Sequence, residues 1–242
     1  MMKNASEIEQ SSSEPEGNHK NQQSCHHIDS MDRFPNVHIL DHPLIKDKVA
    51  RLRNVDTDFR AFRELVSEIS ALMTYEAFRD IPTETVRVRT PFEEIDQSVV
   101  KEGSVTLIPI LRAGLGMVEG VQSMLPQANV GHIGLARNEE TLEPEEYYCK
   151  LPPRIADGLV VILDPMLATG GSASAAITKL KERGCRNIRA LFILAAPEGI
   201  QKVAGDHPDT EIYIAVQDRC LNDRGYILPG LGDAGDRIFG TL

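Results

Sequence analysis

Leu159-Val160-Val161-Ile162-Leu163-Asp164-Pro165-Met166-Leu167-Ala168-Thr169-Gly170-Gly171-Ser172 decides the fold. Its apolar five-mer, Leu159 to Leu163, reads as a strand buried on both faces, as in a parallel sheet. An acid ends the strand, and a short loop follows that closes on Thr169, two glycines and Ser172. Ala173, Ala176, Ile177 and Leu180 then repeat at helical spacing towards Arg183, and Gly184 stands where a helix C-terminus favours a residue tolerant of positive φ. Strand, Gly-rich turn and helix together aim backbone N–H groups and a helix N-terminus at an anion. The glycines permit close approach, and the Thr169 and Ser172 hydroxyls add donors. Asp164 stands at the carboxyl end of the strand, where ligands bind in open α/β sheets. A tight strand–helix turn without a ligand is the competing reading. Spelling excludes two common phosphate loops: no Lys follows Gly171, as G-x-x-x-x-G-K-[ST] requires, and G-x-G-x-x-G is absent.

Outward from this stretch the pattern repeats. Ser104 to Leu111 reads as a second buried strand, and Met117, Val118, Val121 and Leu125 as the helix after it. Arg112-Ala113-Gly114-Leu115-Gly116 lies between them. A guanidinium at a strand end can hold a phosphate by paired hydrogen bonds, or form an ordinary surface ion pair. Val130 to Ala136, Ile188 to Ala195 and Glu211 to Val216 are further strands, with a short helix over Gly199 to Ala204. Strand–helix units with buried strands imply an α/β fold: a mainly parallel open sheet flanked by helices, with right-handed crossovers. That sheet puts Arg112, Asp164 and the Thr169 loop on one rim.

The N-terminal half is less regular. Asp41 to Arg53 reads as an irregular arm and short helix. Phe59 to Arg79 is an amphipathic helix whose stripe of Phe62, Leu65, Val66, Ile69, Leu72, Met73 and Ala77 suits the core or a subunit interface. Thr85 to Thr90 alternates like an edge strand, with Phe92 to Val99 returning beside it. Residues 1–32 are Ser-, Glu-, Asn- and Gln-rich, so they read as a disordered extension to a single domain over 33–242. Cys25-His26-His27 within it supplies no tetrahedral metal site.

The 242 residues suffice for one sizeable core, and 41% hydrophobic with 26% charged residues is ordinary for a globular protein. A net charge of −10 argues against nucleic acid as a partner and leaves an anionic substrate to be attracted by local donors. No apolar run reaches membrane-spanning length and no signal-peptide core is present, so no membrane partner is expected. The four cysteines are scattered without C-x-x-C or metal spacing, which fits a reducing, cytoplasmic location.

The Asp164–Ser172 loop resembles the phosphoribosyl pyrophosphate (PRPP) loop of uracil phosphoribosyltransferases. Ile108 to Gly116, Arg137 to Pro144 and Leu228-Pro229-Gly230-Leu231-Gly232-Asp233-Ala234-Gly235-Asp236 match the same family, in its order, from about His42 to Leu242. The resemblance implies a type I phosphoribosyltransferase fold and the conversion of uracil and PRPP to UMP and diphosphate in pyrimidine salvage. It implies catalytic roles for Asp164, Arg112 and Arg137. PRPP would be bound by those three with Pro165, Met166, Leu167, Ala168, Thr169, Gly170, Gly171, Ser172 and Asp233. Arg137 would reach the pyrophosphate from a hairpin flap over 137–148 that excludes water from a reactive sugar cation. The polar, Pro-broken flap otherwise reads as a solvated acidic loop for most of its glutamates.

Tyr226 to Arg237 is too Gly-rich to read as strand or helix, yet Ile227, Leu231, Ile238 and Phe239 suit a pinned loop. Such a loop can show bare backbone donors and acceptors to a flat ligand. The resemblance gives Ile227, Gly232, Asp233 and Ala234 the uracil. Rejecting a base through unpaired buried polar groups can reach ~10⁴-fold, far more than apolar shape gives. Mg²⁺ is expected as a PRPP chelate, since it prefers substrate phosphates and water. Only one acid precedes the loop where many phosphoribosyltransferases carry two, so no residue is assigned to the metal. Activation by GTP and assembly as a homo-oligomer, dimer or tetramer, are further implications. A non-catalytic PRPP- or nucleotide-sensing regulator is the alternative function. An Asp164 phosphatase is a weaker one, because Met166 stands where a second Asp is usual.

Overall fold

The computed structural model describes residues 34–137 and 144–241. The N-terminal extension with Cys25-His26-His27 and the tip of the flap lie outside the described residues. In chain order the elements are β1 (Val37–Ile39), α1 (Pro43–Arg53), α2 (Phe59–Ala77), β2 (Thr83–Arg89), β3 (Glu94–Val100), β4 (Val105–Leu111), α3 (Leu115–Met124), β5 (Asn129–Val130), β6 (His132–Arg137) and β7 (Pro144–Lys150). They continue as a 3₁₀ turn (Ile155–Asp157), β8 (Leu159–Leu167), α4 (Gly171–Glu182), β9 (Asn187–Ala195), α5 (Pro197–Asp206), β10 (Glu211–Gln217), β11 (Cys220–Leu221), β12 (Ile227–Leu228) and α6 (Ala234–Phe239).

The central sheet runs β1-β10-β9-β8-β4-β6-β7, with β5 also on β4. Every pairing in it is parallel except β6 with β7. β8 is central, and Val160 to Leu163 are fully buried. Because side chains alternate along a strand, Leu159, Val161 and Leu163 face the layer of α1, α2, α3 and α6. Val160 and Ile162 face α4 and α5 through Ile177, Leu180, Ile200 and Val203. Helices thus cover both faces, as expected for buried parallel strands. In α2, capped by Asp58 accepting from the Ala61 amide at 2.8 Å, Phe62, Val66, Ile69, Met73 and Ala77 are fully buried while Leu65 and Leu72 sit at the margin. Core packing accounts for most of that stripe. No helix among the described residues is long and apolar enough to cross a membrane.

Three expectations need correction. The strand expected to stop at Leu163 continues to Leu167, because β9 runs on beside it and pairs Asp164 with Phe192, Met166 with Leu194 and Leu167 with Ala195. The β4 register ends at Pro109 with Leu163, so the missing N–H of Pro165 interrupts no ladder on that side. Val130 to Ala136 is split at Gly131, whose amide donates to the Leu107 carbonyl at 2.9 Å. β2 and β3 pair with each other antiparallel, as expected, and form a two-stranded sheet of their own. Finally, the Gly-rich C-terminus does form β12 and α6. Its glycines are concentrated at turns, Gly230, Gly232 and Gly240 all having positive φ, and Asp233 caps the helix between them.

Candidate active site

Parallel pairing of β4 with β8 brings their carboxyl ends together, and Arg112 follows the first while Asp164 lies near the end of the second. The Leu111–Arg112 peptide is cis. Gly114 lets the Arg112 turn lie against β8: a Cβ there would meet the Leu163 carbonyl oxygen at 2.2 Å. Asp164 is partly buried, and this burial pushes its carboxyl up to about 7, offset in part by the Met166 amide, which donates to Oδ1 at 3.2 Å. A half-neutral acid at a polar rim is an unusual group for a purely structural position.

Ala168 and Thr169 lead from β8 to Gly170, which takes φ +80° as the N-cap of α4. No side chain caps this helix, so the first-turn amides are left for an anion. The start of α5 seals the loop from behind. A methyl on Gly199 would lie 2.3 Å from the Ala168 carbonyl oxygen. Gly199→Ala is therefore expected to cost about 1–3 kcal/mol by overpacking, read as a lower urea midpoint with unchanged slope.

The C-terminal loop comes to the same rim. A Cβ on Gly235 would stand 3.2 Å from Asp233 Oδ1 and 3.6 Å from Arg112 Nη2. Arg112 Nη2 lies 3.2 Å from Asp236 Oδ1, and its guanidinium stands 5.8 Å from the centre of the Phe239 ring. The Thr241 hydroxyl and then Arg112 hold the Asp236 carboxyl below the usual carboxylate range. Asp233 Oδ1 accepts from the Asp236 amide at 2.9 Å. Ile227 and Ala234 have buried side chains, so what Ile227 can offer a ligand is backbone.

The structure therefore brings Arg112, Asp164, the 168–172 turn and the 232–235 loop to one rim. Arg137 ends β6 on the antiparallel β6–β7 hairpin, while its side chain and residues 138–143 lie outside the described residues. The hairpin has a bulge at Gly134/Leu135, and Tyr147 covers Gly134 closely enough that a Cβ there would touch the ring at 2.5 Å. Glu146 is not one of the solvated acids: it pairs with Arg183 at 3.3 Å and Lys179 at 3.6 Å, tying β7 to α4. Sequence reasoning also missed Arg53, Asp218 and Arg237, which hold the C-terminal loop. Asp218 had a signal, since it stands at the carboxyl end of an apolar parallel strand.

The family model described as uracil phosphoribosyltransferase matches residues 39–241. A protein of Thermoanaerobacter sp. strain X514 bearing that name is 54% identical over 208 residues, covering 86% of this chain and 99% of its own. A solved structure of an Aquifex aeolicus protein is 41% identical with a TM-score of 0.80, covering 84% and 97% of the two chains. The adenine phosphoribosyl transferase of Trypanosoma brucei, 16% identical with a TM-score of 0.53 over 84% and 90%, shares the fold.

Proposed function

The chain belongs to the uracil phosphoribosyltransferase family, and from that premise we infer that it converts uracil and PRPP to UMP and diphosphate in pyrimidine salvage, on a type I phosphoribosyltransferase fold. The observation that carries the site assignment is the convergence of Arg112, Asp164 and the uncapped start of α4 on one rim, with the Gly-rich C-terminal loop against Arg112.

In this reading the reaction is a glycosyl transfer at the anomeric carbon. Positive charge grows on the sugar and negative charge on the departing diphosphate, so preorganised donors and acceptors supply much of the acceleration. Arg112, with Arg137 from the flap, holds diphosphate oxygens. Asp164 accepts from the ribose hydroxyls. The amides of the Ala168–Ser172 turn, with Thr169 and Ser172, cradle the 5′-phosphate, and Pro165 to Leu167 set its approach. Backbone groups of Ile227, Gly232 and Ala234 meet the polar edge of uracil, and Asp233 stands between base and PRPP. Asp164 offers a single carboxylate here and Asp233 is engaged by the Asp236 amide, which suits a Mg²⁺ brought in on the PRPP phosphates and ligated chiefly by them and by water.

The direct test is UMP formation from uracil, PRPP and Mg²⁺. Uracil-dependent product is expected; PRPP binding in calorimetry without any product would leave the non-catalytic regulator. GTP activation and a homodimer or tetramer belong to the same reading. The assay repeated with GTP, and light scattering of the native chain, measure them: an unchanged rate, or a monomer mass, removes each in turn.

A further inference from the structure

We propose that Arg53 and Asp218 position the base-reading loop, as a partly buried ion pair that grips both backbone groups of Gly230. The inference rests on the reading above that places uracil on Ile227 and Gly232 to Ala234. Arg53 is the last residue of α1, and Asp218 follows β10 directly. Their side chains are 21% and 4% exposed. Arg53 Nη1 donates to Asp218 Oδ2 at 2.7 Å and Nη2 donates to Oδ1 at 2.5 Å. The pair then presents one acceptor and one donor to a single residue. Arg53 Nη1 donates to the Gly230 carbonyl at 2.9 Å, and the Gly230 amide donates to Asp218 Oδ2 at 3.0 Å.

Gly230 is the residue for such a grip. It follows the cis Leu228–Pro229 peptide, has φ +60°, and leaves 2.2 Å between an added Cβ and the Ile227 carbonyl oxygen. It lies between the two stretches that face the base. Asp218 is itself fixed by its amide donating to the Ala195 carbonyl, at the end of β9, at 2.8 Å. Arg237 closes the far side: Nη1 donates to the Leu52 and Leu231 carbonyls, each at 3.0 Å, and its guanidinium lies 4.4 Å from the centre of the Phe62 ring.

The physical need is plain. A segment with two positive-φ glycines has much freedom to lose, and a binding site built from backbone groups works only if they are held to within ~0.5 Å. A forked guanidinium on a carboxylate fixes direction as well as distance. Lysine in its place keeps the charge but not the fork.

The test is steady-state kinetics of Arg53→Lys, with uracil and PRPP varied separately. KM for uracil is expected to rise ~10-fold or more, the equivalent of one charge-assisted hydrogen bond, with kcat and PRPP affinity within about twofold. A folded variant with unchanged uracil KM overturns the proposal, as does a KM for PRPP that rises in parallel, since a merely structural role would loosen both. Should Arg53→Lys fail to fold, Asp218→Asn, which keeps shape and an acceptor for the Gly230 amide, must give the same split or the proposal falls. Gly232→Ala runs beside them, because a Cβ there meets nothing within 4 Å and adds bulk on the open side of the loop. If it leaves uracil KM unmoved, the base is read elsewhere and the site assignment falls together with the inference. If it raises uracil KM while Arg53→Lys does not, only the inference falls.

Discussion

Asp164→Asn is expected to lower kcat for UMP formation ~10²- to 10³-fold, the usual loss when one preorganised charge-stabilising group is removed, and to make the folded chain more stable at pH 8. The two effects share one cause. Burial pushes the Asp164 carboxyl up to about 7, so the folded state holds a proton that the unfolded chain releases near pH 4. Stability rises with pH only where the unfolded state binds more protons; here it binds fewer, so the wild type loses stability as pH climbs from about 4 to about 7. A shift of that size is worth ~4 kcal/mol at most, and partial access to solvent brings it to ~1–3 kcal/mol. Asparagine carries no such penalty. Urea midpoints should therefore favour the variant at pH 8 and converge near pH 4. In the wild type, kcat/KM for PRPP should climb through about pH 7 as the carboxylate forms. A variant as active as the wild type removes Asp164 from the chemistry, and one whose stability relative to the wild type is the same at both pH values removes the raised carboxyl.

What could be read from the chain, and what could not, follows from how local each cause is. Leu159 to Leu163 announced a doubly buried strand because apolar content and flanking turn chemistry are both local. Gly170 and Gly184 announced the ends of α4 for the same reason, and both take positive φ. The continuation through Asp164 to Leu167 was illegible, because its cause is the neighbouring β9 ladder some 28 residues away in sequence. In the C-terminal segment composition misled: three glycines at turns leave six residues free to form α6. The hairpin of β2 and β3 shows the converse limit. Alternation identifies strands but carries no information about which sheet they join. The site divides likewise. Side chains that face the rim lie in compact motifs, whereas Arg53 and Asp218, 165 residues apart, meet only through the tertiary fold.

Arg112→Lys is expected to lower kcat/KM for PRPP ~10²-fold while leaving thermal stability within about 0.5 kcal/mol. The side chain is 56% exposed and makes one 3.2 Å contact with Asp236, an ion pair worth ~0–1 kcal/mol in water. Such a contact holds the guanidinium at the rim without committing it, and Asp236 keeps the Thr241 hydroxyl, 2.6 Å away, once Arg112 leaves. The exchange of Asp236 for diphosphate oxygens replaces one solvent-screened contact with paired, charge-assisted hydrogen bonds. Charge on those oxygens grows as the glycosidic bond breaks, so part of the gain appears only in the transition state and belongs to kcat. Lysine conserves the charge and so part of the attraction, but it is a point donor on a flexible stem and cannot hold two oxygens in a fixed plane. Loss in both KM for PRPP and kcat, with KM for uracil unmoved, is the expected signature. Wild-type kinetics in the lysine variant would reduce Arg112 to the surface ion pair that its contact with Asp236 also permits.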